Sequence, residues 1–160
     1  MTEEVKRDTI LVDIDHVLSD AAWRDDMIGG PGGWGAYHLA GQEDVPLEDM
    51  VMVINFLGAI NYMEDHVNIV GLTARPEKWR QITVDWLVKN EVRLDDLLMR
   101  PADCFLPSPE TKLLECERYF EGRTADRVIC VMDDREDVCA AFRAIGVTAL
   151  QVLAASRRKR

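Results

Sequence analysis

Two aspartates two residues apart, Asp13 and Asp15 in LVDIDHVL, open a series of four polar stations along this chain. Thr73 follows in IVGLTARP, Lys112 in SPETKLLE, and Asp133 with Asp134 in VICVMDDRED. A carboxylate can attack phosphorus and form an aspartyl-phosphate, splitting one hard displacement into two easier ones. A second carboxylate can protonate the leaving oxygen and later deprotonate the water that frees the first. A hydroxyl with nearby backbone amides can hold a phosphoryl oxygen, and a lysine can balance the charge of phosphate and nucleophile. Adjacent carboxylates repel unless a cation or donors compensate. Magnesium takes oxygen ligands and keeps several waters, so Asp13, Asp133 and the Asp15 backbone carbonyl make a partial shell for it. Each station alone is ordinary: Asp-x-Asp triplets are common in loops, a threonine after a strand is usually a cap, and a lysine is usually exposed. Together they are the parts for magnesium-assisted phosphoryl transfer.

These groups need strands to bring them together. Residues 9–13 (TILVD), 66–72 (HVNIVGL) and 128–132 (VICVM) are short apolar runs that read as buried strands, with 97–100 and 147–153 as further candidates. Helical spacing or caps appear between them, over 46–65, after Pro76, after Ser108-Pro109 and across Val138, Phe142 and Ile145 up to Gly146. The helix over 46–65 is apolar on more than one face and is expected to be well buried. Strands alternating with helices predict an α/β fold, a three-layer Rossmann-like arrangement around a parallel five-stranded sheet. In such a sheet, polar groups at the carboxyl ends of strands converge on one crevice. Residues 19–47 carry Gly29, Gly30, Gly32, Gly33 and Gly35 around Pro31, with Trp23, Trp34 and Tyr37 interspersed. Glycine at that density predicts a mobile loop without regular structure.

The 160 residues suffice for one domain with a real core, and 48% are hydrophobic, which predicts a packed globule. The net charge of −10 gives no general attraction to duplex nucleic acid, but it suits a site where a dication neutralises clustered carboxylates. The longest apolar stretch, 51–63, is interrupted by Asn55 and Asn61 and is too short to span a bilayer. The first residues, MTEEVKRD, have no apolar signal core, so a cytoplasmic protein without membrane attachment is expected. The cysteines at 104, 116, 130 and 139 have no CxxC spacing and read as reduced thiols. The basic run at 157–160 reads as a solvated tail. An exposed helix at 50–63 would point to a homodimer.

The order Asp-x-Asp, Thr, Lys, paired acids resembles the four-motif pattern of the haloacid dehalogenase superfamily, over residues 8–153. GLTARPE, LLMRPAD, the helical Lys112, and MDDRED followed by FRAIGV resemble more narrowly the 3′-phosphatase domain of polynucleotide kinase–phosphatases of the phage type. The resemblance implies a phosphatase with Asp13 as nucleophile, Asp15 as general acid/base, and Thr73 and Lys112 on the phosphate. It implies Asp133 as a direct magnesium ligand, with Asp134 nearby through water. Arg75 would contact phosphate or nucleotide, and Arg135 would match the family or form a structural ion pair. His16 and Val17 stand where the superfamily has glycine and threonine. The segment 104–107 (CFLP) is apolar where phage-type relatives are polar and basic. No G-x-x-x-x-G-K-S/T sequence appears, so the kinase half is not represented.

Residues 19–47 lie where this superfamily inserts a cap over the active site, and about thirty residues make a small lid. Trp23, Trp34 and Tyr37 could stack on a base or anchor the lid to the core; His38 could meet a sugar or phosphate, or be an ordinary surface histidine. Two enzyme readings follow. The acidic balance and the apolar 104–107 favour free nucleotides, deoxynucleoside monophosphates in particular, and this reading is taken first. The resemblance favours the alternative, a 3′-phosphatase for nucleic-acid ends. A receiver-like phosphoacceptor would carry its acidic pair on the first strand, whereas here the pair comes last. A decayed family member serving as a binding module would lack a catalytic position, and none is missing.

Overall fold

The strand that leads to Asp13 explains the architecture. In the computed structural model, which describes residues 7–60 and 67–153, strand β1 (Thr9–Val12) is buried along its whole length. It is flanked on both sides by parallel partners, β4 (Asn68–Pro76) and β6 (Val128–Asp133). A parallel strand covered on both faces must be apolar on both, which is why TILV does not alternate with charge. Strands β5 (Asp96–Arg100) and β7 (Thr148–Gln151) complete the sheet in the order β5-β4-β1-β6-β7.

The period of two along β1 divides the core. Ile10 and Val12 point to one face, where they pack with Ile54 of helix α2 (Glu48–Ala59) and Trp86 of α3 (Arg80–Lys89). Leu11 points to the other, against Cys116 of α4 (Ser108–Tyr119) and Phe142 of α6 (Glu136–Ala144). Helix α4 starts with Pro109 in its first turn, where the missing N–H costs nothing. A short helix α5 (Thr124–Arg127) precedes β6, and Gly146, at φ 84°, follows α6. All four cysteines are free thiols. No helix among the described residues is long and apolar enough to cross a membrane.

The segment 19–47 differs from the mobile loop expected. Strands β2 (Ser19–Asp20) and β3 (Val45–Pro46) pair antiparallel at its base. Between them lie a 3₁₀ turn at Ala22–Gly29 and helix α1 (Gly33–Ala40). The glycines do not prevent a helix: Gly32 and Gly33 take φ of 87° and 48°, the left-handed region in which glycine has no Cβ penalty, and so turn the chain into it. Helix α2 also departs from expectation. Val51 and Ile54 are buried, but Met52 is 67% and Phe56 66% exposed. Its second apolar face is left open because only one side meets the sheet. The expected continuation of that helix to 65, the first residue of the strand expected at 66, and the basic tail all lie outside the described residues.

Candidate active site

Three strand ends and one helix converge. Asp13 leaves β1, Asp133 ends β6, and Asp134 follows it. Carboxylate oxygens of Asp13, Asp133 and Asp134 lie within 4.8 Å of one another. Lys112, on the first turns of α4, reaches into this group: its Nζ is 2.8 Å from Asp13 Oδ2 and donates to Asp133 Oδ2 at 2.5 Å. Lysine, Asp13 and Asp133 are all buried. The remaining oxygens are also engaged, since Asp13 Oδ1 accepts from the Ile14 amide at 2.8 Å and Asp133 Oδ1 from the Arg135 amide at 3.0 Å. Burial pushes the Asp13 carboxyl well above the ordinary carboxylate range; Lys112 opposes this, and Asp133, Asp15 and Asp134 add to it. Burial also raises the Asp134 carboxyl, with Asp133 adding to it. For Lys112 burial works downward, but Asp13 and Asp133 outweigh it and hold the ammonium charged.

Asp15 faces a second group. Arg75 Nη2 and Arg24 Nη2 each donate to its Oδ1 at 2.5 Å. Burial alone would raise this carboxyl, yet the two guanidiniums, Arg75 first, hold it well below the usual range. Arg75 is available because β4 runs on to Pro76 instead of ending at Leu72, so Thr73 and Arg75 fall on one side of the strand. The Thr73 hydroxyl accepts from the Arg75 amide at 3.2 Å. Arg24 comes from the cap and is fully buried. Its Nε and Nη2 form a fork on Asp44, at 2.8 and 2.6 Å, and its guanidinium lies 4.0 Å from the centre of the Tyr37 ring. Asp44 also accepts from Ser19 Oγ at 3.0 Å and Trp23 Nε1 at 2.9 Å.

A cavity of about 860 Å³ opens over both groups. Asp13, Asp15, Thr73, Arg75, Lys112 and Asp134 line it, and so do Trp34, Tyr37 and His38 on α1. Asp133 lies beneath, fully buried. Of the residues singled out above for the site, all but Trp23 fall in or directly under one cavity; Trp23 instead donates its Nε1 to Asp44 within the cap. Trp34 is exposed and stacks on His38 with centroids 5.7 Å apart, while Tyr37 is buried under Arg24. His38 is not a surface residue: it is buried, and burial pulls its imidazole down to about 4. Arg135 lines the rim but pairs with Asp137 at 2.5 Å. The Asp15 carboxylate turns to the arginines and stands outside the three-carboxylate cluster. His16 adopts φ 63°, the region natural to the glycine it replaces, and its Nε2 pairs with Asp25 at 3.2 Å.

Arg24 and Asp44 were not singled out from the sequence. One signal was available: Arg24 is the single arginine or lysine in residues 19–47, among five acids. A lone cation in an acidic, apolar segment needs a partner once buried.

The family follows from comparison with known proteins. A sequence model of the polynucleotide kinase PNKP phosphatase domain matches residues 7–156. The chain belongs to this family. It is a hydrolase of the haloacid dehalogenase class. Solved structures share the fold. A chain in the Pnkp1/Rnl/Hen1 complex superposes with a TM-score of 0.72 at 21% identity, covering 91% of this chain and 45% of that one. A haloacid dehalogenase-like hydrolase from Streptococcus pneumoniae gives 0.65 at 11% identity, covering 91% and 84%. A family enzyme from Bacteroides thetaiotaomicron, solved with magnesium and inorganic phosphate, gives 0.55 at 12%, covering 94% and 96%. The PNKP-type phosphatase domain described here thus spans less than half of the chain it matches in that complex. A sequence comparison with the curated proteins finds no match.

The carboxylates of this phosphatase domain suit a dication. Asp13, Asp133 and Asp134 offer hard oxygen donors within 4.8 Å of one another, and neighbouring carboxylates add to the burial that raises the Asp13 and Asp134 carboxyls.

Proposed function

We propose that this phosphatase is magnesium-dependent and removes the 3′-phosphate from nucleic-acid ends through an aspartyl-phosphate on Asp13. The observation that carries the chemistry is the buried Lys112 ammonium bridging Asp13 and Asp133, at 2.8 and 2.5 Å, on the floor of the cavity. A fixed positive charge beside a carboxylate at a strand end is what an incoming phosphoryl group and its nucleophile both require. Asp13, Asp133 and Asp134 would hold the metal, with the Asp15 carbonyl as a further ligand. When bound, the ion supplies charge neutralisation and polarises the phosphoryl oxygens.

In the first step an Asp13 oxygen forms a bond to phosphorus, the ester P–O bond breaks, and the leaving 3′-oxygen takes a proton. In the second, water attacks the acyl phosphate, its proton passes to a base, and phosphate and the free Asp13 carboxylate return. Thr73 and Lys112 bind phosphoryl oxygens. Asp15, held ionised by Arg75 and Arg24, is ready for the base role. Its acid role in the first step requires a proton, which becomes favourable when a substrate phosphate draws Arg75 away from it. Trp34, Tyr37 and His38 form the cap wall toward the nucleoside, and residues 19–47 act as a lid.

The family match over 7–156 supports nucleic-acid ends over free nucleotides. One observation favours the mononucleotide reading: the chain carries a net charge of −10, which gives little help along a polyanion. The test compares kcat/KM for a 3′-phosphorylated oligonucleotide with that for deoxynucleoside monophosphates. Preference for the oligonucleotide is expected; preference for the monophosphates overturns the choice. Asp13→Asn is expected to lower turnover on either by at least about a thousandfold, and undiminished turnover would mean the nucleophile is misassigned.

A further inference from the structure

The loop between β5 and α4, residues 101–107, enters the same cavity as the catalytic carboxylates and presents Phe105 with 91% of its surface exposed. An isolated exposed aromatic has no special meaning, but this one is held on a fixed backbone. Arg100 Nη1 donates to the carbonyls on both sides of it, Leu106 at 2.5 Å and Cys104 at 3.3 Å, and to Thr111 Oγ1 at 2.9 Å. Its Nε donates to the Ala74 carbonyl at 3.0 Å, next to Thr73 and Arg75. One guanidinium therefore ties the loop to the phosphate-side strand and leaves the ring outside. Also lining the cavity, from the cap helix, is Trp34, 59% exposed and backed by the buried His38 ring at an interplanar angle of 24°.

We propose that Trp34 and Phe105 are two jaws of a slot that receives the terminal nucleobase of the substrate, so that the enzyme selects phosphorylated sugars that still carry a base. The inference rests on the nucleotide-directed phosphatase reading above. Every base has a π-face, so stacking holds the end without reading its sequence. It also supplies affinity where a chain of net charge −10 supplies little along the backbone. Because Arg100 fixes the backbone on either side of Phe105 and His38 backs Trp34, the loop itself needs little ordering when the base enters.

The test uses a 3′-phosphorylated oligonucleotide ending in thymidine and the same oligonucleotide ending in an abasic tetrahydrofuran residue. The wild-type enzyme is expected to favour the base-bearing end by about tenfold or more in kcat/KM, carried mostly by KM. Phe105→Ala and Trp34→Ala should each bring that ratio toward one, and Phe105→Tyr should restore it. Both side chains are exposed enough for the variants to fold. No preference in the wild type, or a preference that survives Phe105→Ala, overturns the slot. If oligonucleotides are not turned over at all, the choice of nucleic-acid ends falls. The slot is then decided by the same ratio for thymidine 3′-monophosphate against deoxyribose 3-phosphate.

Discussion

Arg24 joins the lid to the chemistry. Its guanidinium forks onto Asp44 inside the cap and also donates to Asp15. Arg24→Ala would leave Asp44 buried with Ser19, Trp23 and a longer contact to Arg75 of 3.4 Å. Losing one partner of a buried ion pair typically costs about 3–5 kcal/mol. The variant is expected to lose about that much in urea unfolding, and to lose kcat as well because Asp15 is held by one guanidinium fewer. Arg24→Lys should not recover it, since an ammonium cannot form the two-pronged contact. His38 gives a pH signature. Its folded value of about 4 lies below the ordinary value near 6.5, so the neutral form belongs to the fold. Asp15 works against this shift, and Arg75, Arg24 and Lys78 work with it. The unfolded chain takes up a proton first as pH falls, so this contribution to stability is complete above about 6.5 and is lost toward pH 4. His38→Gln should therefore show a smaller drop in urea midpoint between pH 7 and pH 4.5 than the wild type. At this scale Asp13, Thr73, Asp133 and Asp134 were legible because each follows or ends an apolar run that fixes its position. Lys112 was legible from its place after a Ser-Pro helix start. Arg24 was not, because glycine-rich chain offers no period from which to infer a facing direction.

Elements explain the other differences between expectation and structure. The parallel α/β sheet was readable because apolar runs alternated with helical spacing, but neither the order of its strands nor their ends were. Strand β4 continues through Thr73 to Pro76, since pairing with β5 persists after a register shift, and continuation of a ladder is a tertiary effect that local pattern does not encode. The cap's two-stranded stem is likewise set by a pairing between residues 25 positions apart at its closest. Gly71, inside β4, was an unremarked glycine with a packing reason. A Cβ there would lie 2.8 Å from both Leu94 Cδ1 and Leu97 Cδ1. Gly71→Val is expected to cost about 1–3 kcal/mol by overpacking, read as a lower melting temperature. Because Thr73 lies two residues further along the same strand, KM for the phosphorylated substrate should rise as well. A variant with wild-type stability would show that the two leucines can turn aside.

The whole fold gathers like charges that begin far apart in the chain. Asp13 and the pair Asp133–Asp134 meet only because β1 and β6 are neighbours, and Lys112 pairs with two of the three carboxylates, Asp13 and Asp133. Burial raises the Asp13 and Asp134 carboxyls, and their carboxylate neighbours raise them further. A cation that binds the folded chain and not the unfolded one stabilises it by mass action, by about 2.7 kcal/mol at a hundredfold excess over Kd. Magnesium is accordingly expected to raise the melting temperature, and chelation to lower it and abolish turnover. Asp134→Asn separates this from general ionic strength. In chelator the variant should be at least as stable as the wild type, since it removes a carboxylate that the fold disfavours. In magnesium it should gain less, because a ligand is gone. An equal rise in both proteins, or an equal rise with sodium at matched ionic strength, would mean that screening and not coordination holds the acidic cluster together.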